Sequence, residues 1–79
     1  MIDKILKERE DSYGDFKDNA RKTTKMFNIL TDNRPCGCKA YPAFMIITKL
    51  VREFNKHNKD NLDDIQGYAK LWAEDHYDL

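Results

Sequence analysis

Lys49 and Arg52 are the two residues whose type and spacing most directly suggest a binding site. Three positions apart, they lie on one face of a predicted helix, beside its apolar stripe. Such a pair can clamp a phosphate, because both side chains donate charge-assisted hydrogen bonds to its oxygens. The alternative interpretation is that both side chains snorkel over apolar surface or form ion pairs with a neighbouring acidic helix.

Other polar and aromatic residues lie where they can complete such a site. Asn19 and Arg21 belong to the preceding predicted helix. Tyr13 and Tyr41 lie at helix ends, where an aromatic ring can stack on a base. We predict no catalytic and no metal-binding residue. The residues that we expect to bind a ligand are Tyr13, Asp15, Asn19, Arg21, Lys49, Arg52, Asp64 and Tyr68.

Carboxylates suggest a second kind of chemistry, the metal-assisted attack of water on a phosphate. Asp60, Asp63 and Asp64 lie close together near the start of the last predicted helix, and Glu8 and Asp11 lie near each other in the first. The alternative interpretation is that these acids stabilise the positive end of a helix and face solvent. The sequence contains no evident pairing of a nucleophile with a base and no glycine-rich phosphate loop. The residues alone therefore do not indicate an enzyme.

Cys36 and Cys38 form a C-x-C pair, which is not the C-x-x-C spacing of redox and zinc sites. A structural zinc site needs four ligands, and the other soft ligands, His57 and His76, are distant in the sequence. We expect a loop with two free thiols. A zinc site and an intermolecular disulfide are the alternatives.

Four segments have the periodicity of amphipathic helices. Gly14 suits the left-handed position that ends the first of them, and Asp15 can cap the second. No segment alternates at period two. We therefore predict an all-α fold, a compact bundle of four helices in a single domain over residues 1–79. The predicted helices span about 2–12, 16–32, 41–57 and 61–77.

The size and charge of the chain restrict its partners. A chain of 79 residues buries only about 60% of its unfolded surface, which favours an oligomer. Its 14 basic and 14 acidic residues balance, so no overall field attracts a nucleic acid polymer. Residues 39–59 are mainly basic and residues 60–79 mainly acidic, as expected of two helices that face each other or of a basic pocket for an anionic ligand.

The beginning of the sequence, MIDKILKERED, is charged and lacks the apolar stretch of a signal peptide. No apolar run approaches the roughly 20 residues that span a bilayer. We therefore expect a cytoplasmic protein without a membrane partner.

Two motifs carry a resemblance to a known family. The string ILKEREDSYGDFKDNA, residues 5–20, resembles the opening of a family of small phage and prophage proteins, including its Tyr-Gly-Asp-Phe turn. The C-terminal half resembles the same family in the following residues: Met45, Lys49, Arg52, Asp60, Asp64, Ile65, Gly67, Tyr68, Ala69 and Leu71. The resemblance implies a protein that acts in the cytoplasm of an infected bacterium.

The motif Asp-x-x-x-Asp-Ile-x-Gly-Tyr-Ala, which begins at Asp60, is also similar to the last core helix of MazG-like all-α nucleotide pyrophosphohydrolases. Those enzymes release pyrophosphate from nucleoside triphosphates with Mg²⁺, as dimers or tetramers. The resemblance implies a link to nucleotides and a homo-oligomer, and it points to Asp60 and Asp64. Their metal site needs Glu-Glu-x-x-Glu on one helix and Glu-x-x-Asp on the next. The sequence contains no Glu-Glu-x-x-Glu, and neither motif lies on the predicted second and third helices.

Three functions are compatible with these features. The first is a protein that binds a nucleotide or nucleotide second messenger without catalysis and without a cofactor. A phage could use it to sequester a second messenger of host defence or to hold nucleotides for its own metabolism. The second is a Mg²⁺-dependent pyrophosphohydrolase whose acids come from Glu8, Asp11, Asp15, Asp60 and Asp64. The third is an inhibitor that binds a host enzyme through its acidic last helix. We favour the first, because the acidic metal motif is absent.

Overall fold

The computed structural model describes residues 2–75 and shows an all-α protein. Four helices and no β-strand are present in this part of the chain, as the sequence predicts. The helices are α1 (Ile2–Tyr13), α2 (Phe16–Thr31), α3 (Tyr41–Asn55) and α4 (Lys59–Asp75). A short 3₁₀ turn over Gly37–Ala40 leads directly into α3. Residues 76 and 77, which the prediction included in the last helix, lie outside the described residues.

The corner between α1 and α2 has the conformation that its sequence predicts. Gly14 has a positive φ of 88°, which a residue without a side chain adopts at little cost. Its N–H donates to the carbonyl oxygen of Glu10 at 2.7 Å and so completes the end of α1. The Asp15 carboxylate accepts the N–H of Asp18 at 2.9 Å and caps α2.

The turn between α3 and α4 is held by the side chain of Glu53. Its carboxylate accepts the backbone N–H of Asn58 at 3.0 Å and the side-chain amide of Asn61 at 3.3 Å. It also contacts Nδ1 of His57. Asn58 in turn accepts the N–H of Asp60 at 2.9 Å through its side-chain oxygen. Because Asn58 takes this capping position, α4 begins two residues earlier than the sequence predicts.

Helix α3 lies between α2 and α4 and packs against both. Phe44 meets Phe27 of α2 edge to face, with ring centres 5.3 Å apart and planes at 79°. Glu53, which contacts α4, is nine residues further along α3 and therefore on its opposite side. The buried residues of the described chain are Thr23, Pro42, Ile47, Val51 and Asn61. Burial is thus concentrated along the two sides of α3.

Large apolar side chains remain at the surface of the described helices. Phe16 is 83% exposed and Phe54 is 89% exposed, and Ile29 and Leu30 of α2 are each more than two-thirds exposed. Across residues 2–75, none of the helices is both long enough and apolar enough to pass through a bilayer.

Candidate ligand-binding site

Two arginines converge on the ring of Tyr13, the last residue of α1. The guanidinium carbon of Arg52, on α3, lies 4.3 Å from the ring centre. The guanidinium carbon of Arg9 lies 5.2 Å from the same centre. Arg9 and Tyr13 are four positions apart on α1, so they share one face of that helix. Both contacts are cation–π interactions, which hold the charges beside the ring.

These residues line a pocket between α1, α2 and α3, with a volume of about 240 Å³. Thr23 and Thr24 of α2 and Thr48 of α3 form part of its wall. Phe16 and Phe44 contribute apolar surface. Small-molecule sites usually begin at roughly 300 Å³. The pocket is therefore smaller than a typical small-molecule site, and part of a bound molecule would lie against its open rim.

The charge of the pocket comes from Arg9 and Arg52. Among the side chains that the structure describes, which exclude that of Asp75, neither guanidinium has a carboxylate within 4.0 Å. By contrast, Arg21 pairs with Asp18 at 2.8 Å and Arg34 with Asp32 at 3.2 Å. A guanidinium that lies over an aromatic face keeps donor groups at its edge. The pocket therefore offers two positive charges to an anion from outside.

Asn19 connects the corner to the pocket. Its side-chain amide donates to the backbone carbonyl of Tyr13, one of the carbonyls that the end of α1 leaves without a helical partner. Asn19 also lines the pocket itself. Its side chain therefore fixes the position of Tyr13 relative to α2.

Three of the eight predicted ligand-binding residues, Tyr13, Asn19 and Arg52, come together in this pocket. Asp15 lies at the nearby corner, where its carboxylate caps α2. Arg21 lies on the exposed side of α2. Its pairing partner Asp18 also binds Lys22, and the hydrogen bonds from Lys22 and then Arg21 lower the pKa of Asp18.

The other three predicted residues lie between α3 and α4. The ammonium of Lys49 is 2.9 Å from the Asp64 carboxylate. Asp64 and Tyr68 line a shallow depression on α4 together with Gly67. Lys49 and Arg52 differ by about 60° around α3, so one points toward α4 and the other toward Tyr13. Lys49 forms the ion pair that the alternative interpretation describes, and a phosphate held by both residues stays a prediction.

Arg9 and the three threonines are members of the pocket that the sequence analysis did not identify. The spacing of Arg9 and Tyr13 by four positions is a signal that predicts their shared face. The threonines carry no such signal, because Thr23, Thr24 and Thr48 meet only through the packing of α2 on α3.

The described residues contain no group of three or more His, Cys, Asp or Glu side chains close enough to hold a metal ion. Cys36 and Cys38 are free thiols. Cys36 donates its S–H to the carbonyl oxygen of Arg34 at 3.3 Å. His76, which the zinc alternative would need, lies outside the described residues.

Residues 2–76 match the family model of a domain of unknown function, DUF6378. The chain is a member of the DUF6378 family. No curated protein and no solved structure matches it. The phage setting and the MazG-like relationship stay predictions. A proposal for the function therefore rests on the chemistry of the pocket.

Proposed function

We propose that this chain binds a nucleotide in the pocket between α1, α2 and α3 and releases it chemically unchanged. The observation that carries the proposal is the convergence of Arg9 and Arg52 on Tyr13 without a carboxylate partner among the described side chains. Charge without a counter-charge attracts an anion, and a nucleotide combines an anion with an aromatic base.

The wall of the pocket supports a ligand with both polar and aromatic parts. Guanidinium groups bind phosphate oxygens through paired N–H donors. Threonine hydroxyls suit the hydroxyls of a sugar, since a free hydroxyl can both donate and accept. The hydroxyl of Thr48 donates to the carbonyl oxygen of Phe44 at 2.9 Å, so it can act only as an acceptor for a ligand. Phe16, which is 83% exposed at the rim, offers a surface on which a base can stack. Together these groups match phosphate, sugar and base in one small molecule.

Two of the carboxylates considered for a Mg²⁺ site already have structural roles, and this favours binding over hydrolysis. Of the carboxylates considered for a Mg²⁺ site, Asp15 caps α2 and Asp64 pairs with Lys49. The charged side chains of the pocket wall are arginines. The Mg²⁺-dependent pyrophosphohydrolase is the second candidate, and the motif that begins at Asp60 is the feature that favours it.

We further propose the biological setting that the sequence resemblance implies. The protein acts in the cytoplasm of a bacterium infected by a phage, as a homo-oligomer. It sequesters a nucleotide, for example a second messenger of host defence, since binding without chemistry lowers the free concentration of a signal. Inhibition of a host enzyme by direct contact is a third candidate.

One incubation tests these candidates. Purified protein is mixed with mononucleotides, nucleoside triphosphates and cyclic oligonucleotides, with and without Mg²⁺, and then filtered. The filtrate and the heat-released ligand are separated by ion-exchange chromatography. We expect one nucleotide to be missing from the filtrate and to be recovered intact after heating.

A matched pair of variants locates the site. Arg9→Gln with Arg52→Gln should return the nucleotide to the filtrate. Arg21→Gln with Arg34→Gln removes the same amount of charge from exposed ion pairs. This control variant should still retain the nucleotide on the filter. New monophosphate that depends on Mg²⁺ would support the hydrolase. Unchanged peaks in both fractions would exclude both nucleotide functions and direct the search to a host protein.

A further inference from the structure

Thr23 is a buried polar residue of α2, and it lines the pocket between α1, α2 and α3. It is only 5% exposed. A buried hydroxyl normally has a hydrogen-bond partner, because burial otherwise removes its contacts with water without replacing them. One partner that a helix offers to threonine is the carbonyl oxygen four residues earlier. Thr31 donates in this way to Phe27 and Thr48 to Phe44, each at 2.9 Å.

The hydroxyl of Thr23 has no such partner among the described residues, since none of their side-chain hydrogen bonds involves it. In the same part of the chain, no side-chain oxygen of a covered residue is both without a partner and sealed from water. Solvent therefore reaches the Thr23 oxygen, and the space that Thr23 lines is the pocket. The hydroxyl thus opens into the pocket, where it can donate one hydrogen bond and accept others.

Thr23 lies at the inner end of the pocket. One helical turn further along α2, Phe27 meets Phe44, which bounds the pocket on that side. One turn in the other direction lies Asn19, whose side chain holds Tyr13 beside the two arginines. Four residues of helix rise by about 6 Å. The Thr23 hydroxyl therefore lies next to the level of the arginines along α2 and meets a neighbouring part of the ligand.

The sugar is the part of a nucleotide that this arrangement presents to Thr23. Arg9 and Arg52 bind phosphate oxygens through charge-assisted hydrogen bonds, which are stronger than those of a neutral hydroxyl. The sugar is bonded directly to the phosphate and so occupies the level beside the arginines. The 2′-hydroxyl of a ribose is free of phosphate in most nucleotides. It both donates and accepts hydrogen bonds, and it distinguishes ribonucleotides from deoxyribonucleotides.

We infer that the Thr23 hydroxyl forms a hydrogen bond with the 2′-hydroxyl of the bound nucleotide, and that it makes the pocket selective for ribonucleotides over 2′-deoxyribonucleotides. The inference rests on the proposed function and names the class of nucleotide that the site takes. A deoxyribonucleotide excludes water from the pocket but leaves the buried Thr23 hydroxyl unpaired, and such a site rejects a ligand that lacks the matching group. The loss of this single hydrogen bond should weaken binding by about tenfold.

Isothermal titration calorimetry with matched pairs of ligands tests the inference. The probes are 5′-mononucleotides and cyclic dinucleotides, each in a ribose form and a 2′-deoxyribose form. Wild-type protein should bind the ribose form of its ligand about tenfold more tightly than the deoxyribose form. Thr23→Val replaces the hydroxyl by a methyl group of similar size and should bind both forms with the same affinity. Thr23→Ser keeps the hydroxyl and should retain the preference for ribose.

Thermal unfolding of the ligand-free protein separates this role from a structural one. Thr23→Val should not lower the melting temperature, since the hydroxyl that it removes has no partner among the described residues. If Thr23→Val does not fold, Thr23→Ala takes its place in the titrations. Thr31→Val is the matched control, because Thr31 also belongs to α2 but does not line the pocket. It should leave the preference for ribose unchanged.

The outcomes distinguish the inference from the proposed function. Equal affinities of the wild-type protein for ribose and deoxyribose forms would overturn the inference and leave the proposed function in place. A preference for ribose that Thr23→Val retains in full would also overturn the inference, because another group would then recognise the sugar. If none of the probes binds, the proposed function fails and the inference fails with it.

Discussion

Arg52 on α3 lies over the ring of Tyr13 at the end of α1, with 4.3 Å between the guanidinium carbon and the ring centre. The contact joins α1 to the packed part of the molecule. It also places a cation at the wall of the pocket. One pair of residues therefore contributes both to the attachment of α1 and to the proposed binding of an anion.

Replacing Arg52 by Gln should weaken nucleotide binding by about tenfold or more, since a hydrogen bond to a charged group contributes about 1.5–3 kcal/mol. Isothermal titration calorimetry with the nucleotide recovered from the filtration experiment measures the loss. Affinity of the wild-type protein should also fall as salt rises, because ions screen exposed charges.

Arg21→Gln is the control for this substitution. Arg21 pairs with Asp18 on the exposed side of α2, so its loss changes the net charge by the same amount without changing the pocket. If both variants weaken binding equally, long-range charge and not the pocket explains the effect.

Gly14→Ala should destabilise the protein by about 1–2 kcal/mol or more, because a left-handed conformation is costly for a residue with Cβ. A Cβ atom at Gly14 would also lie 2.6 Å from Cγ of Asn55. A loss of about 1 kcal/mol lowers the melting temperature of a domain of this size by roughly 4–8 °C. Thermal unfolding followed by circular dichroism measures it.

Gly67→Ala is the matched substitution with the opposite expected sign. Gly67 lies inside α4, and beyond its own stretch of helix a Cβ atom there would have no neighbour within 4 Å among the described residues. Alanine is the better helix former by about 0.8–1 kcal/mol, so this variant should be more stable. Equal stabilities of the two variants would contradict the conformation assigned to Gly14.

Residues that act within one turn of helix could be predicted from the sequence, and residues that meet across helices could not. Gly14 and Asp15 have the predicted conformation and cap, because both depend on neighbouring backbone groups. Lys49 and Arg52 share a face of α3 in the sequence pattern. In the structure they contact different helices, because Lys49 pairs with Asp64 of α4 and Arg52 lies over Tyr13 of α1. The start of α4 was predicted too late, because Asn58 is held by Glu53 across the turn.

Asp64→Asn should destabilise the protein more than Lys49→Met. The Lys49 side chain is 14% exposed and the Asp64 side chain 47% exposed. Removing the acid leaves a largely buried cation without its partner, which costs about 1–3 kcal/mol. Removing the cation leaves an acid that water can reach, at a cost of less than about 1 kcal/mol.

Urea unfolding of both single variants and of the double variant measures this asymmetry. The double variant should regain part of the stability that Asp64→Asn loses, since the unpaired cation is then gone. The same Asp64→Asn protein should bind nucleotide as the wild type does. A loss of nucleotide turnover without a loss of stability would instead indicate a metal-binding role for Asp64.

Glu53 should make the stability of the fold depend on pH. The backbone N–H of Asn58, followed by His57, holds the pKa of Glu53 below its ordinary value of 4.5. Its folded pKa is lowered, so the stabilisation is complete above about pH 4.5 and is lost as the pH falls through the folded pKa. The melting temperature of the wild-type protein should therefore fall on acidification below that value.

Glu53→Gln tests the assignment in thermal unfolding between neutral and acidic pH. The variant should be less stable at neutral pH, because an amide is a weaker acceptor for Asn58 and His57 than a carboxylate. Its melting temperature should depend less on pH than that of the wild type. Some dependence should remain, since the pKa of Asp18 is also lowered, and Asp18→Asn should remove part of that remainder. Parallel pH curves for the wild type and Glu53→Gln would show that Glu53 does not hold the turn between α3 and α4.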